Sequence, residues 1–420
     1  MRSYSLGIDV GTSGVRAAVI DENANVLAFA STRFSALGGD PRAPATWRRA
    51  LEATLRRLGI DCDLTRIAAL AVDGTSGTMI AIDGDGEPIG PARMYDEPCD
   101  DPAVLARIEA NAPPGSAALG STSALARVLL MQDRPGVAKV IHQADWLTGI
   151  LSGRFDRTDE NNALKTGYDP ILRQWPDWIA RAGAQIAKLP QVSQPGTPVG
   201  DAGAFAQRIG LTARTRVCAG TTDGCASFLA TGACEIGDAV TALGSTLVIK
   251  LLCDAPVNAP EYGVYSHRLG ERWLAGGASN TGGKVIESLF PGEDLEALSA
   301  ALRPEEPTRL HLYPLARPGE RFPINDPALP PRLTPRPPER ARFFQAVLEG
   351  IAEIEALAYR RLEELGAPPI RSVRSIGGGA ANRGWTQIRR GLMTAPFATA
   401  LSQEACVGTA LLARRPGFGA

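Results

Sequence analysis

Residues 6–16 read Leu6-Gly7-Ile8-Asp9-Val10-Gly11-Thr12-Ser13-Gly14-Val15-Arg16. Leu6, Ile8 and Val10 alternate with Gly7 and Asp9, the period of a short buried strand that carries one carboxylate. Gly11-Thr12-Ser13-Gly14 forces a tight reversal, and residues 15–20 return as a second apolar strand ending in the polar turn Asp21-Glu22-Asn23. This is the pattern of a β-hairpin with a glycine-rich tip. Glycine lets the backbone approach a ligand, Thr12 and Ser13 add hydroxyl donors, and successive backbone N–H groups can form an anion-binding concavity. A phosphate suits such a tip. Asp9 would repel a bare phosphate, and a cation such as Mg²⁺ between them removes the conflict. An ordinary hairpin with its acid in a solvated turn is the other reading of the stretch.

Composition narrows the partner. At 420 residues the chain is long for one core, and two domains of roughly 200 residues are expected. The 44 Lys and Arg balance 45 Asp and Glu to a net charge of -1, which points away from nucleic acid or a membrane surface and toward a small metabolite. Seven cysteines, an odd number without a Cys-x-x-Cys pair, argue against a disulfide framework or a zinc site. His142, His267 and His311 are too far apart in sequence to propose a shared metal. Met1 leads at once into the first strand, leaving no room for a signal peptide, and no apolar run approaches the ~20 residues of a membrane span. The expected compartment is reducing and cytoplasmic. Oligomeric state is not legible.

Along the chain, residues 26–33 continue as a third strand, and a helix capped by Thr46 keeps Trp47, Leu51, Leu55 and Leu58 at helical spacing until Gly59. Residues 67–72 form an apolar run of strand length that ends on Asp73-Gly74-Thr75-Ser76-Gly77-Thr78, a second carboxylate followed by a hydroxyl and glycine loop. Residues 80–94 read as a hairpin-like unit, 121–131 and 144–151 as helices, and 159–168 as a polar segment without a clear period. A boundary is placed near Ala213. Beyond it, strand 216–219, the loop Gly220-Thr221-Thr222-Asp223-Gly224 and a hairpin over 240–249 turning at Gly244-Ser245-Thr246 repeat the opening pattern, which suggests an internal duplication. Ser279-Asn280-Thr281-Gly282-Gly283 introduces a helix, 314–338 is a Pro- and Arg-rich loop, and 343–365 follows one long helical face. Strand 371–376, the loop 377–382 and helix 385–392 close the series. Short strands alternating with helices give an α/β fold, with a small-molecule cleft expected between two similar domains.

Asp9 with Thr12, Asp73 with Ser76, Asp223 with Thr221, and Gly377 to Gly379 occur in an order that resembles the FGGY carbohydrate kinases, within the actin-like, sugar-kinase and Hsp70-like ATPases. The resemblance spans nearly the whole chain and includes Gly319-Glu320-Arg321. Asp73 to Thr78, His142-Gln143-Ala144-Asp145-Trp146-Leu147 and Gly276-Gly277-Ala278-Ser279-Asn280 look like the short cyanobacterial and plant members assigned as D-ribulose kinases. The chain departs from the family in its shorter length and in lacking the Lys-Trp signature near 121–132.

The resemblance implies two actin-like (ribonuclease H-like) domains, 1–212 for sugar and phosphate and 213–420 for ATP and the catalytic base, with nucleotide and sugar in an interdomain cleft. It implies ATP and Mg²⁺ as cofactors. Adenosine would lie against Gly378 and Asn382 and the phosphates near Thr12, Ser245 and Thr246, with Ser13, Gly244 and Gly282 also binding the cofactor, and Mg²⁺ by Asp9. Asp223 would be the base, and Ser76, Asp145, Asp9 and Asp223 would face the sugar. Each residue has a structural alternative: Asp223 as a helix N-cap, Asp73 tying down its loop, Asp145 in a structural or surface role, Lys165 and Lys284 as solvated charges, and Cys218 and Cys225 as buried inert thiols. His142 is not expected to be catalytic. The implied reaction phosphorylates a ketopentose, D-ribulose first, D-xylulose or a related polyol as the alternative. A nucleotide-switched binding protein is the reading from another class.

Overall fold

Tyr4–Val10 (β1) and Gly14–Ile20 (β2) pair antiparallel, and Gly11 N donates to Gly14 O at 3.1 Å across the tip. The computed structural model describes residues 3–414. Val26–Arg33 (β3) pairs with β2, and Ile67–Gly74 (β4) runs parallel to β1 in a register that sets Asp73 beside Asp9. The sheet continues from β4 to Arg216–Cys218 and Pro198–Asp201, and Thr221–Thr222 also pairs with β4.

The alternation in β1 decides what covers the sheet. Leu6, Ile8 and Val10 pack against Trp47, Leu51, Leu55 and Leu58 of the helix Pro44–Asp61. The opposite face, with Ala18, Ile20, Ala69 and Ala71, meets the C-terminal helix Ala405–Arg414 through Cys406, Val407, Ala410 and Ala413. This helix lies so close that a Cβ on Gly7 would stand 1.9 Å from Cys406 O. Gly7 is therefore a packing residue, fixed by a helix almost four hundred residues downstream.

Two helix-end expectations are corrected. The helix Pro44–Asp61 is capped by Ala43 and starts with proline, whose fixed φ suits the first turn; Thr46 lies inside it, buried. Gly59 is passed over, and Cys62 N closes the last turn on Leu58 O at 3.0 Å. The segment without a visible period holds the strand Arg157–Asp159 and the helix Glu160–Lys165, which is too short to show a period. Its signal is the cap, Asp159 accepting from Asn161 N and Asn162 N at 2.8 and 3.0 Å.

The described chain divides into two compact units, residues 3–230 with 267–271 and 404–414, and residues 231–266 with 272–403. The expected boundary near Ala213 thus falls inside the first unit, because the strands Arg216–Cys218 and Thr221–Thr222 hydrogen-bond to β4. Asp223, expected in the second domain, belongs to the first.

In the second unit, Asp238–Leu243 and Leu247–Cys253 form an antiparallel hairpin, Arg272–Ala278 extends it, and Ser372–Ile376 runs parallel to Asp238–Leu243. That repeats the relation of β1, β2 and β4. The duplicated turn is therefore Gly244-Ser245-Thr246 alone, and the Gly220–Gly224 loop, read as part of the repeat, completes the first unit's sheet. The long helix Arg340–Glu364 packs Phe344, Val347, Ile351 and Ile354 into the second core. Residues 314–338 carry no helix or strand beyond isolated bridges. All seven cysteines are free thiols, and among the described residues no helix is long and apolar enough to cross a membrane.

Candidate active site

The first unit gathers carboxylates at one end of its sheet. Asp9 ends β1 beside Asp73 on β4, and Thr221 flanks Asp73 on its other side in register. Asp9 Oδ2 accepts from Arg16 Nη1 at 3.1 Å, and Arg16 also faces Glu404. Asp73 is fully buried, and Thr409 Oγ1 donates to its Oδ2. No donor reaches Asp73 Oδ1. Burial and the neighbouring charges of Asp9 and Asp223 hold the Asp73 carboxyl well above its ordinary range. Asp9 is raised too, by burial opposed by Arg16. The pair is satisfied when it carries a proton or when a cation takes its place.

Those oxygens suit a hydrated Mg²⁺: they are hard, anionic and partly orphaned, with one half-exposed arginine as counter-charge. Among the described residues no group of three or more His, Cys, Asp and Glu converges into a metal cage.

Asp223 opens the helix Asp223–Ala230, and its Oδ1 accepts from Gly224 N at 2.7 Å. The same position at the positive end of a helix favours the ionised carboxylate a general base requires. Beside it stands the loop of residues 75–78, since Thr222 pairs with Gly74. Gln143 Oε1 accepts from Thr75 N and Thr75 Oγ1 at 3.1 and 2.8 Å, and Thr75 and Thr78 hydroxyls meet at 2.6 Å. Ser76 Oγ between them is buried without a partner. Tyr95, which the sequence reading missed, is 41% exposed, and its phenol is raised by burial and by the charges of Asp96 and Asp223. Nothing in its local pattern marks it; only the fold brings it toward Asp223.

Asp145 is the third residue of the helix Gln143–Ser152, and its Oδ2 accepts from His142 N at 3.0 Å. That bond belongs to a capping box at the start of the helix. His142 is buried, shares a 3.1 Å hydrogen bond with Thr166 Oγ1, and is lowered by burial to about 3, so it stays neutral. Cys218 and Cys225 are buried, Cys218 pushed up to about 11 by burial. Lys284 is exposed.

The second unit holds a cavity of about 750 Å³, lined by Gly244, Ser245, Gly378, Asn382, Phe344 and Trp385 among others, a volume suited to a nucleoside. A Cβ at Gly378 would meet nothing within 4 Å. Asn382 lines the cavity but spends its amide: Oδ1 accepts from Trp385 N at 2.9 Å and Nδ2 donates to Ser299 Oγ at 2.8 Å. Thr246 and Gly282 stand behind the lining, since a Cβ on Gly282 would lie 2.7 Å from Thr246 Cα. Thr12 and Ser13 line a separate cavity of about 600 Å³ in the first unit, with Arg16 and Arg33. The expected phosphate set is thus split between the units.

Two buried acids of the second unit are fully engaged. Glu320 Oε2 accepts from Ser279 Oγ and Tyr313 OH at 2.6 and 3.0 Å, and its Oε1 from Asn280 N and Arg321 N at 2.7 and 2.8 Å. Thr281 O in turn accepts from Leu247 N, and Gly283 N donates to Gly244 O, each at 2.8 Å. Glu355 Oε2 accepts from Arg389 Nε at 2.6 Å and Oε1 from Arg389 Nη2 at 2.7 Å, while Arg389 Nη1 donates to Ser375 Oγ at 2.8 Å.

A family model described as the C-terminal domain of the FGGY family of carbohydrate kinases matches residues 237–415. The xylulose kinase of Escherichia coli K12 is 26% identical over 91% of this chain and 83% of its own, and the gluconokinase of Bacillus subtilis 168 is 22% identical over 98% and 87%. A crystal structure of a xyloylose kinase from Brucella ovis superposes with a TM-score of 0.84 at 24% identity, covering 98% of this chain and 90% of that one. The α/β fold is that of this solved kinase, and over residues 237–415 the chain is similar to the C-terminal domain of the FGGY carbohydrate kinases.

Proposed function

We propose that the protein transfers the γ-phosphoryl group of MgATP to a hydroxyl of a ketopentose, D-ribulose favoured. The observation that carries the reading is the meeting of Asp9, Asp73 and Asp223 at one end of the first sheet, next to the unpartnered Ser76 hydroxyl. Adenosine is assigned to the second unit's cavity, against Gly378. Ser76 orients the sugar. The attacking sugar oxygen gives its proton to Asp223 as its bond to the γ-phosphorus forms and the bond to the β,γ-bridging oxygen breaks, leaving ADP. Phosphoryl transfer depends chiefly on such positioning and on charge stabilisation. Asp9, with Asp73, would hold Mg²⁺, which neutralises charge on the phosphates.

D-ribulose is favoured by the run Asp73-Gly74-Thr75-Ser76-Gly77-Thr78. D-xylulose is the second reading, favoured by the similarity to the xylulose kinases of Escherichia coli and Brucella ovis. The test is ADP release with MgATP against D- and L-ribulose, D-xylulose, D-ribose, L-arabinitol, ribitol, gluconate and glycerol. A large rise with D-ribulose supports the reading, a larger one with D-xylulose replaces it, and ADP release that no sugar alters overturns it.

A further inference from the structure

We infer that Arg127 is a positioning residue for the acceptor side of the first unit, one buried guanidinium fixing the Ser76-Gly77 turn against residues 95–97 so that the sugar meets a preformed surface. The inference rests on the sugar-kinase reading above. Arg127 lies on the helix Ala124–Met131, whose N-cap Ser123 accepts from Ala126 N at 3.1 Å. It is 3% exposed. Nη1 donates to Gly77 O and Thr122 O at 3.1 and 2.9 Å, and Nη2 to Tyr95 O and Glu97 O at 2.8 and 2.7 Å. Four carbonyls from three segments thus share one cation.

No carboxylate bonds this guanidinium among the described residues. The Glu97 carboxylate faces Arg42 at 3.3 Å, and Glu97 and Asp96 balance the Arg127 charge only at a distance. Burying a charge without a direct counter-ion is costly, so its place is explained by what the carbonyls gain. Gly77 and Tyr95 are also the neighbours of the acceptor site. Gly77 has φ +92, and Ser76 stands between it and Thr75, itself held by Gln143. Tyr95 N donates to Thr78 Oγ1 at 3.1 Å, closing the web from the other side. Ser76 Oγ and the Tyr95 ring are then the parts the web leaves unspent on the backbone.

A lysine keeps the charge but replaces a planar fork with a point donor, which cannot span four carbonyls. Arg127→Lys and Arg127→Met are compared with wild type for the KM of the responding sugar, the KM of ATP, thermal midpoint, and amide hydrogen exchange. The expected result is a sugar KM raised at least about tenfold in both, an ATP KM within about twofold, and faster exchange confined to residues 76–78 and 95–97. Arg127→Lys is expected to keep its thermal midpoint. An unchanged sugar KM overturns the inference, as does a parallel loss of both KM values with uniformly faster exchange, which would mean a purely structural arginine. If wild type responds to no sugar, the kinase reading and this residue's sugar role fall together, and exchange confined to the two segments shows the clamp alone.

Discussion

The hairpin of β1 and β2 and the hairpin of Asp238–Leu243 and Leu247–Cys253 are built alike, each with a parallel strand beside its first strand. Their chemistry differs at equivalent places. In the first unit Asp9 stands in register with Asp73; in the second, Ala242 stands in register with Ile376. The first hairpin ends in carboxylates held above their ordinary range, the second at a cavity lined by Ser245, Phe344 and Trp385 among others. A repeated scaffold has thus been given two tasks by the side chains at one register position, charge handling in one unit and a nucleoside-sized cavity in the other.

Buried acids sharpen the same contrast. Glu355 has a bidentate arginine, both side chains sealed from solvent, with Thr241 Oγ1 also donating to Glu355. Glu160 has a single contact to Arg173 Nε at 3.3 Å, with that arginine 39% exposed. Removing the guanidinium by Arg389→Ala is expected to cost about 3–5 kcal/mol, because it leaves Glu355 buried and uncompensated. Denaturant unfolding measures it, and replacing both partners by apolar residues of similar volume is expected to recover most of the loss. A small cost for the single variant would remove the contrast.

Asp73→Asn probes the other side. Burial beside Asp9 raises the folded Asp73 carboxyl, so its contribution to stability is full below the unfolded value and lost as pH rises through the folded one. Asparagine does not titrate. Its thermal midpoint is expected to exceed that of wild type at pH 8, by about 1 kcal/mol in stability, and to match it more closely at pH 4. A variant less stable than wild type at pH 8 would show that Asp73 stabilises as a charge.

Glu160→Gln is expected to act on a similar scale. Glu160 is raised to about 7, chiefly by burial, so protonation stabilises the fold at acidic pH and the benefit disappears as pH rises through about 7. The glutamine variant is expected to flatten the stability profile between pH 5 and 8 by about 1 kcal/mol after allowance for solvent screening. Parallel profiles for variant and wild type would contradict the assignment.

Much of this was legible where function and folding draw on the same local signal. Alternation and glycine placement marked the β1–β2 hairpin and the turn at Gly244, and helical spacing marked the helix over 340–364. The reading failed where spatial neighbours come from distant sequence. Asp223 belongs with the first unit because strands beyond Ala213 pair with β4. Gly7 answers to Cys406, and Arg127 answers to four carbonyls, neither of which leaves a local pattern. Asp145 was placed with the sugar by its motif, and one of its carboxylate oxygens also caps its own helix, a contact that its sequence context does not show.

The measurement that tests the central claim most directly is turnover of Asp223→Ala with MgATP and the responding ketopentose, with ATP affinity determined on the same protein. A fall of about 10²- to 10⁴-fold in kcat with ATP affinity within about twofold is expected for loss of a general base. Turnover near that of wild type would contradict the account.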